Sequence, residues 1–128
     1  MIVGTGIDIV EIDRFGKSVK KWGRGFINKI FTRNEIAYSQ KRRFSNQHFA
    51  ARFAAKEAVF KAFGDDNASI RKWTDIEILN DKSGRPVVEV HGNAKKLYKR
   101  KKATGVIISM SHSHKHAVAN AILVSENG

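Results

Sequence analysis

Residues 52–64, RFAAKEAVFKAFG, constrain the fold more than any other stretch of this 128-residue chain. Phe53, Ala54, Ala55, Ala58, Val59, Phe60, Ala62 and Phe63 give a helix whose apolar surface wraps most of the way round. Such a helix is covered on nearly every side, so the remaining elements must be built around it. The pattern reaches back to about residue 46, and Gly64 is placed to end the helix. Yet Lys56, Glu57 and Lys61 lie inside the apolar run, and their presence needs a reason.

Elements able to cover this helix stand on both sides of it in sequence. Residues 1–12 read as a strand, with Ile2, Asp8, Val10 and Ile12 on one face and Val3, Ile7 and Ile9 on the other. Apolar residues on both faces predict a strand buried on both sides. One or two helices are expected over about 13–30. Thr32-Arg-Asn-Glu35 has capping-box spacing, which starts a further helix near Arg33. DDNAS (65–69) reads as a loop. Residues 73–80 and 85–91 read as strands joined by Asp81-Lys82-Ser83-Gly84, the composition of a hairpin turn. A basic helix is expected over 94–102, and two last strands, 105–112 and 117–124, flank the SHSHKH stretch. The order β, several α, ββ, α, ββ predicts an α+β fold with a largely antiparallel sheet and a long central helix. The length suits one domain over residues 1–128.

No stretch approaches the roughly 20 apolar residues of a membrane span. The opening MIVGTGIDIVEID lacks the basic start of a secretory signal, and Asp8 interrupts its apolar run. The absence of cysteine removes disulfides, thiolate metal sites and cysteine nucleophiles, and fits a reducing cytoplasm. Twenty-four Lys and Arg against 12 Asp and Glu give a net charge of +12. Such a surface attracts polyanions: nucleic acid, anionic lipid, an acidic protein or a phosphorylated ligand. Its densest patches are KRR (41–43) and KKLYKRKK (95–102), the second of which fits a solvated helix face.

Glu57 and Lys61 are four apart, so the plainest reading makes them a surface ion pair worth about 0.2–0.5 kcal/mol. Asp8 shifts the balance, because it too is an acid in an apolar element. Burying a carboxylate is expensive unless a cation or hydrogen bonds compensate. Two such acids with lysines nearby suggest a site. Carboxylates without cysteine suit Mg²⁺ or Mn²⁺ rather than zinc, and Lys61 would supply a point charge for a phosphate. GTGID (4–8) lacks the third glycine of a dinucleotide fingerprint, so Gly4 and Gly6 read as positions of close backbone approach. His112, His114 and His116 alternate, but at a hairpin tip they need not converge on a metal. His112 is either an ordinary strand-end histidine or a hydrogen-bonding group for a ligand. Ser109 lacks the nucleophile elbow, so a transferase would take its nucleophile from the acceptor.

Four blocks now carry a resemblance: GTGIDIVEIDR (4–14), FINKIFTRNE (26–35), RFAAKEAVFKAFG (52–64) with WTDIEILNDKSGRP (73–86), and SMSHSHKHAVA (109–119). In order and spacing they resemble the holo-acyl-carrier-protein synthases, the short bacterial class of 4'-phosphopantetheinyl transferases. The specific part is G-x-D near the N-terminus followed about fifty residues later by K-E-A-x-x-K.

The resemblance implies the 4'-phosphopantetheinyl transferase-like fold. It also implies transfer of the phosphopantetheine arm of coenzyme A to a serine of apo acyl carrier protein in fatty acid biosynthesis, leaving 3',5'-ADP. By the same resemblance, Asp8 and Glu57 would bind Mg²⁺ with the coenzyme A diphosphate, and Lys61 would contact its phosphates. Arg52 and His112 match coenzyme A phosphate contacts. Arg14 and Lys29 match carrier-protein docking positions, where Lys29 keeps the charge of the arginine common in relatives but loses its fork. Glu57 or a metal-held water would take the serine proton. A homotrimer with sites between subunits is implied as well. The rival reading, a small basic nucleic-acid-binding protein, uses the charge and the 95–102 run. It lacks a recognisable RNA-binding or zinc-finger motif and leaves Asp8 and Glu57 unexplained.

Overall fold

The computed structural model describes residues 1–64 and 72–126. The elements are β1 (Ile2–Glu11), α1 (Ile12–Ile30), α2 (Arg33–Gln40), α3 (Ser45–Ala62), a 3-10 turn (Trp73–Asp75), β2 (Ile76–Asn80), β3 (Pro86–Val90), α4 (Gly92–Arg100), β4 (Gly105–His112) and β5 (His116–Val124). This is the expected α+β order; the loop read at 65–69 lies outside the described residues. Every strand pair among the described residues is antiparallel. One sheet has the order β1-β5-β4, and β2-β3 forms a separate hairpin. The hairpin turn is built as its composition predicts. Asp81 Oδ1 accepts from the Ser83 and Arg85 backbone amides, and Gly84 supplies a φ of 87°.

α3 is the hub. On one side it packs with Ile76, Ile78, Ile108 and Leu123; on the other it meets the α1 residues Ile12, Phe15 and Ile27 together with Phe31. The strand facing it, β5, presents Ala117, Ala119 and Ala121, all buried, and their small side chains let the helix lie close to the sheet. α1 is broken at Gly23, whose φ of 66° and ψ of −147° are open to glycine and strained for other residues. The chain therefore forms two helical segments in the span where one or two were expected.

β1 corrects the sequence reading. Gly4, Gly6, Asp8 and Val10 are partly covered on the α3 side, but Ile7 and Ile9 are 65% and 64% exposed. Ile107 of β4 is also exposed, at 57%. β1 is an edge strand paired with β5 alone, and within one chain the outer face of this sheet is uncovered.

The polar residue buried deepest in α3 is Lys56. Its Nζ lies 2.8 Å from Glu35 Oε1, and neither side chain is exposed. Nζ also donates to the carbonyls of Trp73 and Ile76. Glu35 is fully used: Oε1 accepts from the Thr32 amide at 2.8 Å and Oε2 from the Ile78 amide at 2.8 Å. The predicted capping box is present, and its glutamate is the same group that neutralises Lys56. One carboxylate thus ties the start of α2 to α3 and β2. Burial holds the Lys56 amine below the usual lysine value, and Glu35 opposes that shift. Lys56→Met would leave Glu35 as an uncompensated buried charge, and should cost about 3–5 kcal/mol in urea unfolding. Adding Glu35→Gln should recover part of that loss, since the amide keeps an acceptor for the Thr32 cap without the charge.

Candidate active site

The site begins with the contact between β1 and α3. A Cβ on Gly4 would overlap the carbonyl oxygen of Ala62, and one on Gly6 would overlap that of Ala58. Both glycines are therefore required by close approach, as their place in an apolar strand predicts. Two residues beyond Gly6, Asp8 faces the same helix. Lys61 of α3 donates to Asp8 Oδ1 at 3.1 Å and to the Ile7 carbonyl at 2.9 Å. The sequence placed Lys61 beside Glu57; the fold gives it Asp8 as a partner from a distant segment. Asp8 and Glu57 line one cleft of about 560 Å³ together with Arg14 from the first turn of α1. Phe15, Phe26 and Phe53 supply its apolar wall.

The structure brings Arg14 to the acids but leaves Lys29 apart. Lys29 is exposed in the last turn of α1, beyond the Gly23 break, and is not among the residues lining this cleft.

Arg52 and His112 belong to a second cluster. Arg52 is 2% exposed, donates to Asn80 Oδ1 and lies 4.1 Å over the ring of Tyr38. Arg42 stacks on Tyr38 as well, at 4.0 Å. His112, at the end of β4, brings its ring to 5.9 Å from that of His48, which in turn is 6.2 Å from Tyr38. The hydrogen bond from Arg42 holds the Tyr38 phenol below its usual range against the opposing effect of burial. Burial, then the charges of Arg52, His112 and Arg42, hold the His48 imidazole below its usual value. Two guanidiniums and two imidazoles around one phenol make an anion site in chemical character. Sequence reasoning missed Tyr38, Arg42 and His48. The available signal was spacing: Tyr38–Arg42 and His48–Arg52 are each four apart, and Arg42 belongs to the KRR patch.

The alternating histidines do not converge. His114 and His116 are exposed, and among the described residues neither joins a group with metal-ligand spacing. The set that does so is Glu77, Glu89 and His91, with ligand atoms within 4.8 Å of one another. Glu77 already accepts from the Thr32 hydroxyl at 2.6 Å and the Asn34 amide at 3.2 Å, and lies 3.1 Å from His91 Nε2. Burial pushes its carboxyl up, and these partners more than offset that, leaving it below the usual carboxylate range. Its place is structural: it fastens the β2-β3 hairpin to the start of α2.

The family model of the 4'-phosphopantetheinyl transferase superfamily matches residues 4–119. The chain belongs to this superfamily. Among its relatives, the holo-[acyl-carrier-protein] synthase of Protochlamydia amoebophila is 43% identical over 122 residues, covering 95% of this chain and 98% of that one. The crystal structure of the Neisseria meningitidis holo-[acyl-carrier-protein] synthase superposes with a TM-score of 0.89 at 30% identity, over 98% of this chain and 100% of that chain. A Bacillus anthracis synthase, solved in complex with CoA (3',5'-ADP), gives 0.81 at 35% identity over 98% and 99% of the two chains. The 4'-phosphopantetheinyl transferase family thus accounts for the whole α+β fold, both sheets included, and makes this chain an enzyme. Among the described residues no helix is long and apolar enough to cross a membrane.

Proposed function

We propose that this chain transfers the 4'-phosphopantetheine group of coenzyme A to a serine of apo acyl carrier protein. The reaction releases 3',5'-ADP, requires Mg²⁺ and serves fatty acid biosynthesis in the cytoplasm, with residues 1–128 acting as one domain. The observation that carries this reading is the cleft lined by Asp8, Glu57 and Arg14, with Lys61 held on Asp8, in a chain of this family.

The donor set fits the metal. Asp8 and Glu57 offer hard carboxylate oxygens at one cleft whose lining includes no sulfur-bearing residue, which suits Mg²⁺, or Mn²⁺, and leaves room for substrate phosphates. When bound, the ion supplies charge neutralisation at the diphosphate. The residues of the chain do the rest. The acceptor serine oxygen bonds to the phosphorus nearest the pantetheine, and the diphosphate linkage breaks with its electrons leaving on 3',5'-ADP. Glu57 takes the serine proton, and the Lys61 ammonium offsets charge on the departing phosphate. Arg52 and His112 bind further phosphate of coenzyme A. Arg14 and Lys29 receive the acidic carrier protein, and the net charge of +12 draws it in. The exposed Ile7, Ile9 and Ile107 are covered by further copies in a homotrimer.

Incubation with coenzyme A, Mg²⁺ and apo carrier protein should give a pantetheinyl adduct by intact-mass spectrometry. The near-isosteric Glu57→Gln should keep the fold, lower turnover by roughly 10²-fold or more and remove activation by Mg²⁺. Near-normal turnover would remove Glu57 from this role. Lys29→Glu, outside the acid cleft, should raise KM for the carrier protein and leave KM for coenzyme A within about a factor of three, because rim charges act mainly on encounter. An equal rise in both KM values would show that Lys29 does not belong to the docking surface. Light scattering should give three times the mass of the chain; a stable, active monomer would contradict the trimer.

A further inference from the structure

The basic cluster around Tyr38 contains a titratable imidazole, His48, to which the transfer reaction assigns no role. It sits in the first turns of α3, four residues before Arg52, between the Tyr38 and His112 rings. The groups facing it come from each neighbouring element: Tyr38 from α2, Arg42 from the segment after α2, Arg52 from α3 and His112 from β4. Arg52 is buried, and its Nε has no hydrogen-bond partner among the described residues. Glu35, the acid that acts on Arg52 through space, is already neutralised by Lys56. The cavity that Arg42 and Arg52 line with Tyr38 also holds Lys82 and one acid, Asp81, whose carboxylate accepts from the Ser83 and Arg85 amides. Three cations against that one acid leave an excess of positive charge around a buried guanidinium with donor capacity to spare.

We propose that His48 is a proton-linked member of a phosphate site: it takes up a proton when a phosphate group enters the cluster it shares with Arg42, Arg52 and His112. This rests on the coenzyme A reading only for the identity of the phosphate. The cause is electrostatic. With the site empty, a proton on His48 meets two guanidiniums and a second imidazole, and burial disfavours it further. A phosphate reverses the sign of the local field, and a protonated imidazole gives it an additional charge-assisted donor. Binding then couples to pH. The empty site holds His48 neutral near pH 7, the filled site holds it protonated, and phosphate affinity falls as pH rises through the midpoint of the filled site.

The test is an NMR titration of the histidine ring protons of the full chain from pH 5 to 8.5. It is run alone, with saturating inorganic phosphate, and with 3',5'-ADP, all at matched ionic strength set with sodium chloride. His48→Phe keeps a ring against Tyr38 and His112 and assigns the His48 signal; His48→Gln serves if the phenylalanine variant fails to fold. Either anion should raise the His48 midpoint by about one pH unit, which means about tenfold tighter binding to the protonated form than to the neutral one. His114 and His116, both exposed, should move much less. A His48 midpoint that stays in place, a rise confined to His112, or an equal rise in every histidine would overturn the proposal. Coenzyme A binding is followed separately. If inorganic phosphate moves His48 but coenzyme A does not bind, the donor assignment falls and this inference stands. If coenzyme A binds and His48 does not titrate differently, the reverse holds.

Discussion

The close approach of β1 to α3 is the constraint on which the rest of the structure depends. Gly4 and Gly6 lie against the carbonyls of Ala62 and Ala58, with no space for a Cβ at either position. This contact fixes both the depth and the register of the strand on the helix. Because strand residues alternate faces, the two glycines and Asp8 share one face, and the spacing delivers Asp8 to Lys61. Shifting the strand by one residue would turn Ile7 and Ile9 toward the helix and Asp8 toward solvent. The acid pair is thus a consequence of backbone packing between two segments some fifty residues apart.

The three charged residues in the apolar run of α3 divide by role. Lys56 belongs wholly to the fold. Buried with Glu35, it satisfies two carbonyls and holds α2, α3 and β2 in one arrangement. Glu57 and Lys61 point to the side where β1 and α1 meet the helix, and there they meet Asp8 and Arg14. An ion pair as deeply buried as Lys56–Glu35 contributes more to fixing one geometry than to net stability, since the cost of desolvating two charges offsets most of their attraction. That geometry is what a site relying on positioned charge requires.

The two clusters sit on one scaffold yet use different physics. The acid cleft combines carboxylates with an apolar phenylalanine wall, while the basic cluster stacks guanidiniums on a phenol ring. α3 contributes to both, through Glu57 and Lys61 in one and His48 and Arg52 in the other.

Much of this was legible in the amino-acid order. The wrap of apolar residues from Phe53 to Phe63 required a central helix, the capping box started α2 where it begins, and Gly4 and Gly6 announced a close approach. These are local signals, set by periodicity, by hydrogen bonds within a turn and by the absence of a Cβ. The sequence also singled out Asp8, Glu57 and Lys61, because charge inside an apolar pattern stands out in one dimension. Pairing could not be read that way. Lys61 bonds to Asp8 rather than resting only on its own helix, Lys56 finds Glu35, and Arg14 reaches the acids while Lys29 does not. The exposure of Ile7 and Ile9 was equally hidden, since an apolar pattern reports that a face must be covered but not by which chain. By itself the sequence determined which elements form and which side chains are out of place in them. Tertiary structure alone decided which of those side chains meet, because contacts between distant segments depend on the sheet order and on the depth at which one strand settles against one helix.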